Sequence, residues 1–117
     1  MRSLLIVDDH AGFRMWAREV LRHEGFDVVG EATDGLSAID AVHDLHPEVV
    51  LLDIQLPDMS GFEVAERIAA QTSVVLTSSR SAADYGPAVV RSPAVGFMAK
   101  SDLTGAAMAA LLDPAQS

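Results

Sequence analysis

Short apolar runs recur along this chain at Leu4–Val7, Val28–Val29, Val49–Leu52, Val74–Leu76 and Phe97–Ala99, about 23 residues apart. They are rich in branched side chains and show no polar alternation, the pattern of strands buried on both faces. Between them, apolar residues return at helical intervals. Phe13, Trp16, Ala17, Val20 and Leu21 form one stripe, with Arg14, Arg18, Glu19 and Arg22 on the other side. Gly25 stands where a glycine commonly follows a helix. A second helix is predicted over about Leu36–Leu45, after the cap candidates Thr33-Asp34-Gly35 and before Pro47. A third opens on Ser60-Gly61-Phe62-Glu63, the S-x-x-E of a capping box. Its stripe is Gly61, Val64, Ala65, Ile68 and Ala69. The last, about Thr104–Leu112, is expected to be capped by Ser101 or Asp102.

The fourth gap is irregular. Ser81-Ala82-Ala83-Asp84 reads as a capping box, yet Gly86-Pro87 follows almost at once. A proline beyond the first turn loses a hydrogen bond and clashes with the carbonyl four residues back, costing about 3 kcal/mol. The helix is therefore predicted to start near Pro87, where proline is tolerated, and to end near Arg91 before Pro93. Five strands alternating with five helices predict an α/β fold, a parallel sheet covered on both faces. No linker or second domain is legible, so residues 1–117 read as one domain, with a polar tail at Asp113–Ser117 expected to fray.

The first and third runs both end in aspartate, at Asp8-Asp9 and at Asp53. If those strands are neighbours, three carboxylates meet in one crevice. At about 5 Å and an effective dielectric of about 20, each like-charge pair costs roughly 3 kcal/mol before screening. A fold that keeps such a cluster needs something positive in it.

Composition narrows the candidates. The net charge is −9, and eight basic residues comprise seven arginines and a single lysine without a basic cluster. Nonspecific nucleic-acid binding relies on such clusters, so direct DNA binding by this segment is not expected. There are no cysteines, which excludes disulfides, thiolate metal sites and a cysteine nucleophile. One basic residue, Arg2, precedes only four apolar residues, too few for a signal peptide or a membrane span. A cytoplasmic location is the expectation.

Ligands of open α/β sheets bind outside the carboxyl ends of the strands. Asp8 and Asp9 offer hard oxygen ligands suited to Mg²⁺. Asp53 suits a third ligand or a nucleophile that forms an aspartyl phosphate. Phosphoryl transfer is mainly positioning and charge neutralisation, which Lys100 and the Thr77 hydroxyl can supply. Singly, each residue has an ordinary explanation as a turn, a cap or a solvated side chain. Four strand ends with complementary chemistry do not reduce to packing.

In Leu5-Ile6-Val7-Asp8-Asp9-His10, Leu51-Leu52-Asp53-Ile54-Gln55-Leu56-Pro57-Asp58-Met59-Ser60-Gly61, Val74-Val75-Leu76-Thr77-Ser78 and Gly96-Phe97-Met98-Ala99-Lys100, the chain resembles the receiver domain of two-component response regulators. The order of the acid pair, the D-x3-P-x3-G loop, the threonine and the lysine carries the resemblance, which covers essentially the whole chain. It implies a flavodoxin-like (βα)5 fold with strand order 2-1-3-4-5; that order comes with the family and not from the periodicity. It also implies that Asp53 accepts a phosphoryl group from a histidine kinase. Asp8, Asp9, Asp53 and the backbone carbonyl of Gln55 would hold Mg²⁺, with Mn²⁺ as a substitute. Thr77 and Lys100 would bind phosphoryl oxygens. Thr77 and Phe97 would act as the switch, remodelling the face of helix 4, strand 5 and helix 5 for a downstream protein or effector domain. Gln55 and Ser79 stand where family side chains tune dephosphorylation. A phosphorylation-dependent dimer is compatible with the family. Lys100 is followed by Ser101 where many members have proline, so no cis bond is expected there.

The resemblance implies either a single-domain regulator or the receiver part of a DNA-binding transcriptional regulator, with no enzymatic activity beyond transfer to itself and loss of its own phosphoryl group. Rival readings are a pseudo-receiver that only binds partners, and an aspartate-nucleophile phosphatase. The phosphatase usually wants an acid two residues after the nucleophile, where this chain has Gln55. A flavodoxin-like nucleotide binder is weaker still, because Asp8-Asp9-His10-Ala11 would repel a phosphate.

Overall fold

The computed structural model describes residues 1–114. Five strands, β1 (Ser3–Val7), β2 (Asp27–Ala32), β3 (Val49–Asp53), β4 (Ser73–Ser78) and β5 (Gly96–Ala99), form one parallel sheet in the order β2-β1-β3-β4-β5. Five helices lie between and after them: α1 (Ala11–His23), α2 (Gly35–Leu45), α3 (Gly61–Ile68), α4 (Pro87–Arg91) and α5 (Gly105–Leu112). The order matches the one that the resemblance implies.

The central strands are buried throughout because helices cover both faces. Leu5, Val7, Val50, Leu52, Val74 and Leu76 point to one face, where they meet Ala38 and Val42 of α2 and Val64, Ala65 and Ile68 of α3. Leu4, Ile6, Val49, Leu51 and Val75 point to the other and meet Ala17 and Leu21 of α1 and Met108 of α5. This is the physical content of an unbroken apolar run: alternate residues serve two cores.

Several boundaries differ from the sequence expectation. β2 extends on both sides of Val28–Val29, carrying exposed Asp27 and Glu31, since an edge strand needs burial only where it is covered. Trp16 is not a core residue; it is 46% exposed and its ring lies 5.9 Å from that of Phe13. Ser60 caps α3 by accepting from the Phe62 N–H at 3.0 Å, and Glu63 closes no capping box. The reciprocal cap forms at α2 instead, where Asp34 accepts from the Ser37 N–H at 2.8 Å. α5 is capped by Thr104, which accepts from the Ala107 N–H at 3.0 Å. Ser101 and Asp102 are taken up in a 3₁₀ turn that puts Leu103 into the core, so the cap falls to Thr104 while the helix keeps close to its expected bounds.

The irregular fourth gap resolves into two elements. The Ser81–Asp84 capping box starts a 3₁₀ turn over Ala82–Tyr85, and α4 starts at Pro87 as its first residue. Gly86 joins them at φ 62°, a backbone angle that favours glycine. No peptide bond among the described residues is cis, Lys100–Ser101 included. Asp113 pairs with Arg2, and positions 115–117 of the expected fraying tail lie outside the described residues. No helix among the described residues is long and apolar enough to cross a membrane.

Candidate functional site

β1 and β3 pair directly, with Val7 opposite Leu52, so the residues that follow them emerge side by side. Asp8 is fully buried and Asp53 is 2% exposed. Each carboxylate has two distinct sides. Asp8 Oδ1 accepts from the His10 N–H at 2.8 Å and lies 3.1 Å from His10 Nδ1. Its Oδ2 lies 2.6 Å from Lys100 Nζ. Asp53 Oδ1 accepts from the Gln55 N–H at 3.2 Å, while Oδ2 lies 3.4 Å from Lys100 Nζ. Ligand atoms of Asp8, Asp9, His10 and Asp53 all fall within 4.8 Å of one another.

Lys100 thus answers the charge puzzle in part. Its ammonium sits between the two buried carboxylates and 4.6 Å from the centroid of the Phe13 ring, in cation–π range. Burial alone would lower the Lys100 pKa. The neighbouring carboxylates of Asp8 and Asp53 more than offset it, and the net shift is upward. Burial first, then the Asp8 charge, raises the Asp53 carboxyl from 3.8 to about 6, despite the Gln55 N–H and Lys100. One cation does not satisfy the cluster: Asp8 Oδ2 is buried and, although close to Lys100, receives no well-aligned hydrogen bond.

The loops that carry these groups are braced. Arg14 Nη1 donates to the Asp8 carbonyl at 2.8 Å, and its Nε donates to Glu31 at 2.9 Å. Glu31 also accepts from Arg18. Burial would raise the Glu31 pKa, but its bonds to Arg18 and Arg14 hold it below the ordinary value. Across the crevice, Asp58 accepts from the Gly35 and Leu36 N–H groups at 2.7 and 3.0 Å. These bonds, Gly35 first, lower the Asp58 pKa and fasten the loop after β3 to the start of α2. Gly61 closes the D-x3-P-x3-G loop: its N–H donates to the Ile54 carbonyl at 2.7 Å. A Cβ there would lie 2.4 Å from the Asp53 carbonyl oxygen and 2.7 Å from Ile54 Cα. Because both are backbone atoms, Gly61→Ala is expected to cost about 3 kcal/mol, at the upper end for overpacking. A urea unfolding midpoint equal to that of the unaltered protein would contradict this.

Thr77 is 2% exposed and is the direct strand partner of Asp53. Gln55 and Ser79 are exposed at the rim. Phe97 is half-buried on β5 and belongs to a different constellation. Its ring is 6.4 Å from that of Tyr85, which is 5.7 Å from that of Phe62. The Tyr85 hydroxyl is 2.6 Å from Ser78 Oγ, one residue beyond Thr77. Beside Phe97, an open hollow of about 450 Å³ is lined by Ala82, Met98, Ala107 and Leu111 among others, outside the acidic crevice.

The structure therefore brings Asp8, Asp9, Asp53, Gln55, Thr77 and Lys100 to one rim and leaves Phe97 beside it on β5, against Tyr85 of the 3₁₀ turn. Sequence reasoning missed Phe13, Tyr85 and Asp58 as parts of this region, and did not read His10 as a neighbour of the acids. Phe13 was hidden by its place in the apolar stripe of α1, and Tyr85 lies in the irregular fourth gap, which carries no periodic signal. For Asp58, a position in a proline loop carried no signal of its partner.

The arrangement agrees with comparisons to known proteins. The family model of the response regulator receiver domain matches residues 4–111. The chain is 37% identical over 67 residues to the chemotaxis protein CheY of Thermotoga maritima, covering 57% of this chain and 56% of that protein. It is 39% identical over 80 residues to the transcriptional regulatory protein PdtaR of Mycobacterium tuberculosis, covering 66% and 39%. The chain spans about half, or less, of the length of the curated relatives it matches. Among solved structures, the signal receiver domain of NarL from Mycobacterium tuberculosis superposes with a TM-score of 0.84 at 32% identity, covering 99% of this chain and 97% of that one. The response regulator domain of Thermotoga maritima CheB gives 0.78 at 27% identity, covering 99% and 92%. With its sheet order and its lysine-bridged aspartates, the chain belongs to the response regulator receiver family of two-component signalling.

Proposed function

We propose that this chain, over residues 1–117, is a phospho-accepting switch that takes its phosphoryl group from a histidine kinase onto Asp53. The observation that carries the reading is the buried Asp8–Lys100–Asp53 bridge at the rim of a parallel sheet. A carboxylate oxygen of Asp53 attacks phosphorus, the P–N bond of the kinase phosphohistidine breaks, and the imidazole nitrogen keeps that electron pair. The attacking group must be ionised, and a carboxyl with a pKa of about 6 is mostly ionised at pH 7 and above. Lys100 leaves part of its pairing with the acids to meet the incoming phosphoryl oxygens, and the Thr77 hydroxyl donates to another.

The donor set fits a hard divalent cation. Asp8, Asp9 and Asp53 converge, Asp8 Oδ2 lacks an aligned donor, and the Gln55 backbone is already tied to Asp53. Asp8, Asp9, Asp53 and the Gln55 carbonyl would hold Mg²⁺, or Mn²⁺ in its place. When bound, the ion offsets the negative charge that gathers on the transferring group.

Phe97 and its neighbours carry the message. Phe97, the hollow beside it and α5 form the output surface, which faces a downstream protein or effector domain and could support a phosphorylation-dependent dimer. The acidic balance argues against nucleic acid as the direct partner of this segment, and the cytoplasm is the compartment where a kinase would meet it. No activity on other substrates is proposed, because Gln55 stands where a phosphatase would need its acid. Incubation with acetyl phosphate or a cognate kinase is expected to label the protein only with Mg²⁺ present, and Asp53→Asn is expected to abolish the label. A metal-independent label that survives Asp53→Asn would sink the mechanism.

A further inference from the structure

His10 is the part of the acidic cluster that the proposed function does not use. Its Nδ1 lies 3.1 Å from Asp8 Oδ1 and 3.1 Å from Asp9 Oδ1. Its own N–H, donating to Asp8 Oδ1 at 2.8 Å, fixes where the ring starts. Asp53 reaches the same group of atoms from a different strand. An octahedral ion with bonds of about 2.1 Å spaces adjacent ligand atoms at about 3.0 Å and opposite ones at about 4.2 Å. The two 3.1 Å separations match adjacent ligands, and the 4.8 Å limit on the whole set needs only a slight contraction. Asp8 is fully buried and presents Oδ1 to His10, while its Oδ2, which lacks an aligned donor, faces Lys100 Nζ at 2.6 Å.

Resting on the divalent-cation reading above, we infer that His10 adds an imidazole nitrogen to the three carboxylates, so that the crevice prefers a divalent transition-metal ion to Mg²⁺. Nδ1 faces two carboxylate oxygens, which only accept, so without a cation this position suits an N–H donor. With a cation bound, the neutral ring carries its proton on Nε2 and presents the Nδ1 lone pair; the side chain is 69% exposed, which leaves Nε2 free to keep that proton. Imidazole suits Mn²⁺, Co²⁺ and Ni²⁺ increasingly along the Irving–Williams order, whereas Mg²⁺ favours oxygen and holds its waters. Loss of the nitrogen should therefore weaken the transition metals and leave Mg²⁺ nearly unchanged.

The test uses Mn²⁺ and Mg²⁺ with the unaltered protein, His10→Ala and His10→Gln. Free Mn²⁺ is counted by its paramagnetic resonance signal, and Mg²⁺ is measured by displacing it. The expected result is a directly coordinated ¹⁴N coupling on bound Mn²⁺ that both variants lose. The Mn²⁺-to-Mg²⁺ affinity ratio should also fall about tenfold or more in both. Circular dichroism of the exposed-residue variants checks that they are folded. Mg²⁺ and Mn²⁺ binding with no nitrogen coupling, or with a ratio unchanged by His10→Ala, overturns the inference and leaves the divalent site standing. Failure of the unaltered protein to bind either ion overturns both.

Discussion

Replacing Lys100 by methionine is expected to destabilise the metal-free protein by about 3–5 kcal/mol at pH 8. Methionine keeps the length of the stem and the contact with Phe13, so the loss isolates the charge. Asp8 and Asp53 would face each other, both buried, without the ammonium that now sits 2.6 and 3.4 Å from them. Lys100 has a folded pKa above its ordinary 10.5, so its contribution is complete below 10.5 and is lost only as pH rises through the still higher folded value. Between pH 5 and 9 the pH dependence of the variant therefore belongs to the acids. Asp53, already raised to about 6 with Lys100 present, would be raised further and take up a proton earlier as pH falls. The deficit should shrink from pH 8 to pH 5 without vanishing, because Asp8 still lacks its partner. Urea unfolding at the two pH values measures this, and added Mg²⁺ should recover part of the loss. A deficit below about 1 kcal/mol, or one equal at both pH values, would show that the cluster is not electrostatically coupled.

Asp53→Asn is expected to act in the opposite direction, raising metal-free stability at pH 8 by up to about 3 kcal/mol. The folded protein holds the Asp53 carboxyl at about 6 against an ordinary 3.8. Since the folded state binds that proton more readily, the ionised carboxylate weighs against folding at every pH above about 6. The cost fades as pH falls through that value and is gone near the ordinary one. Asparagine keeps an acceptor for the Gln55 N–H and leaves Lys100 its closer partner, Asp8. The advantage of the variant should therefore be largest at pH 8 and absent near pH 4. Mg²⁺ should reverse the ranking, because a ligand bound only by the folded state adds RT ln(1 + [L]/Kd), and the variant has lost one oxygen ligand charge. Thermal melts across pH, with and without Mg²⁺, give the answer. A variant no more stable than the unaltered protein at pH 8 would mean that the Lys100 attraction outweighs burial and repulsion together.

These opposite signs at neighbouring residues were partly legible in the sequence. The repulsion between strand-end acids follows from the apolar runs and from Asp8, Asp9 and Asp53 at their ends. The single lysine was identified as the compensating charge. What the sequence does not contain is the division of labour. Lys100 is closer to Asp8 than to Asp53, and Phe13 of the first helical stripe lies against the ammonium as well as the core. His10 reads locally as the residue after an acid pair; only the turn of the backbone brings its Nδ1 back to both acids.

Helix ends show the same division. The start of α4 at Pro87 was legible, because proline restricts the backbone wherever it stands. At α3 the expected cap Ser60 forms without the reciprocal half of its box, and at α5 the cap differs from the expected residues. Ser60 and Glu63 fit the reciprocal pattern, but a bridge between Gln55 and Ser60 ties that turn to the loop after β3. At α5, the turn that buries Leu103 moved the cap to Thr104. A capping motif states what a turn can do; neighbouring burial decides whether it does.

By itself, the sequence determined the alternation of strands and helices, the burial of the central strands on both faces, and the presence of acids, a threonine and a lysine at strand ends. Those are properties of short windows, set by periodicity and backbone restriction. The tertiary structure alone decided which charges touch, that one ammonium spans two carboxylates, that Tyr85 is joined to Ser78 beside Phe97, and that Asp58 fastens the β3 loop to α2. Apart from the local Tyr85–Ser78 contact, each of these joins elements that meet only when helices cross between parallel strands, and packing distances of a few ångströms leave no periodic trace along the chain.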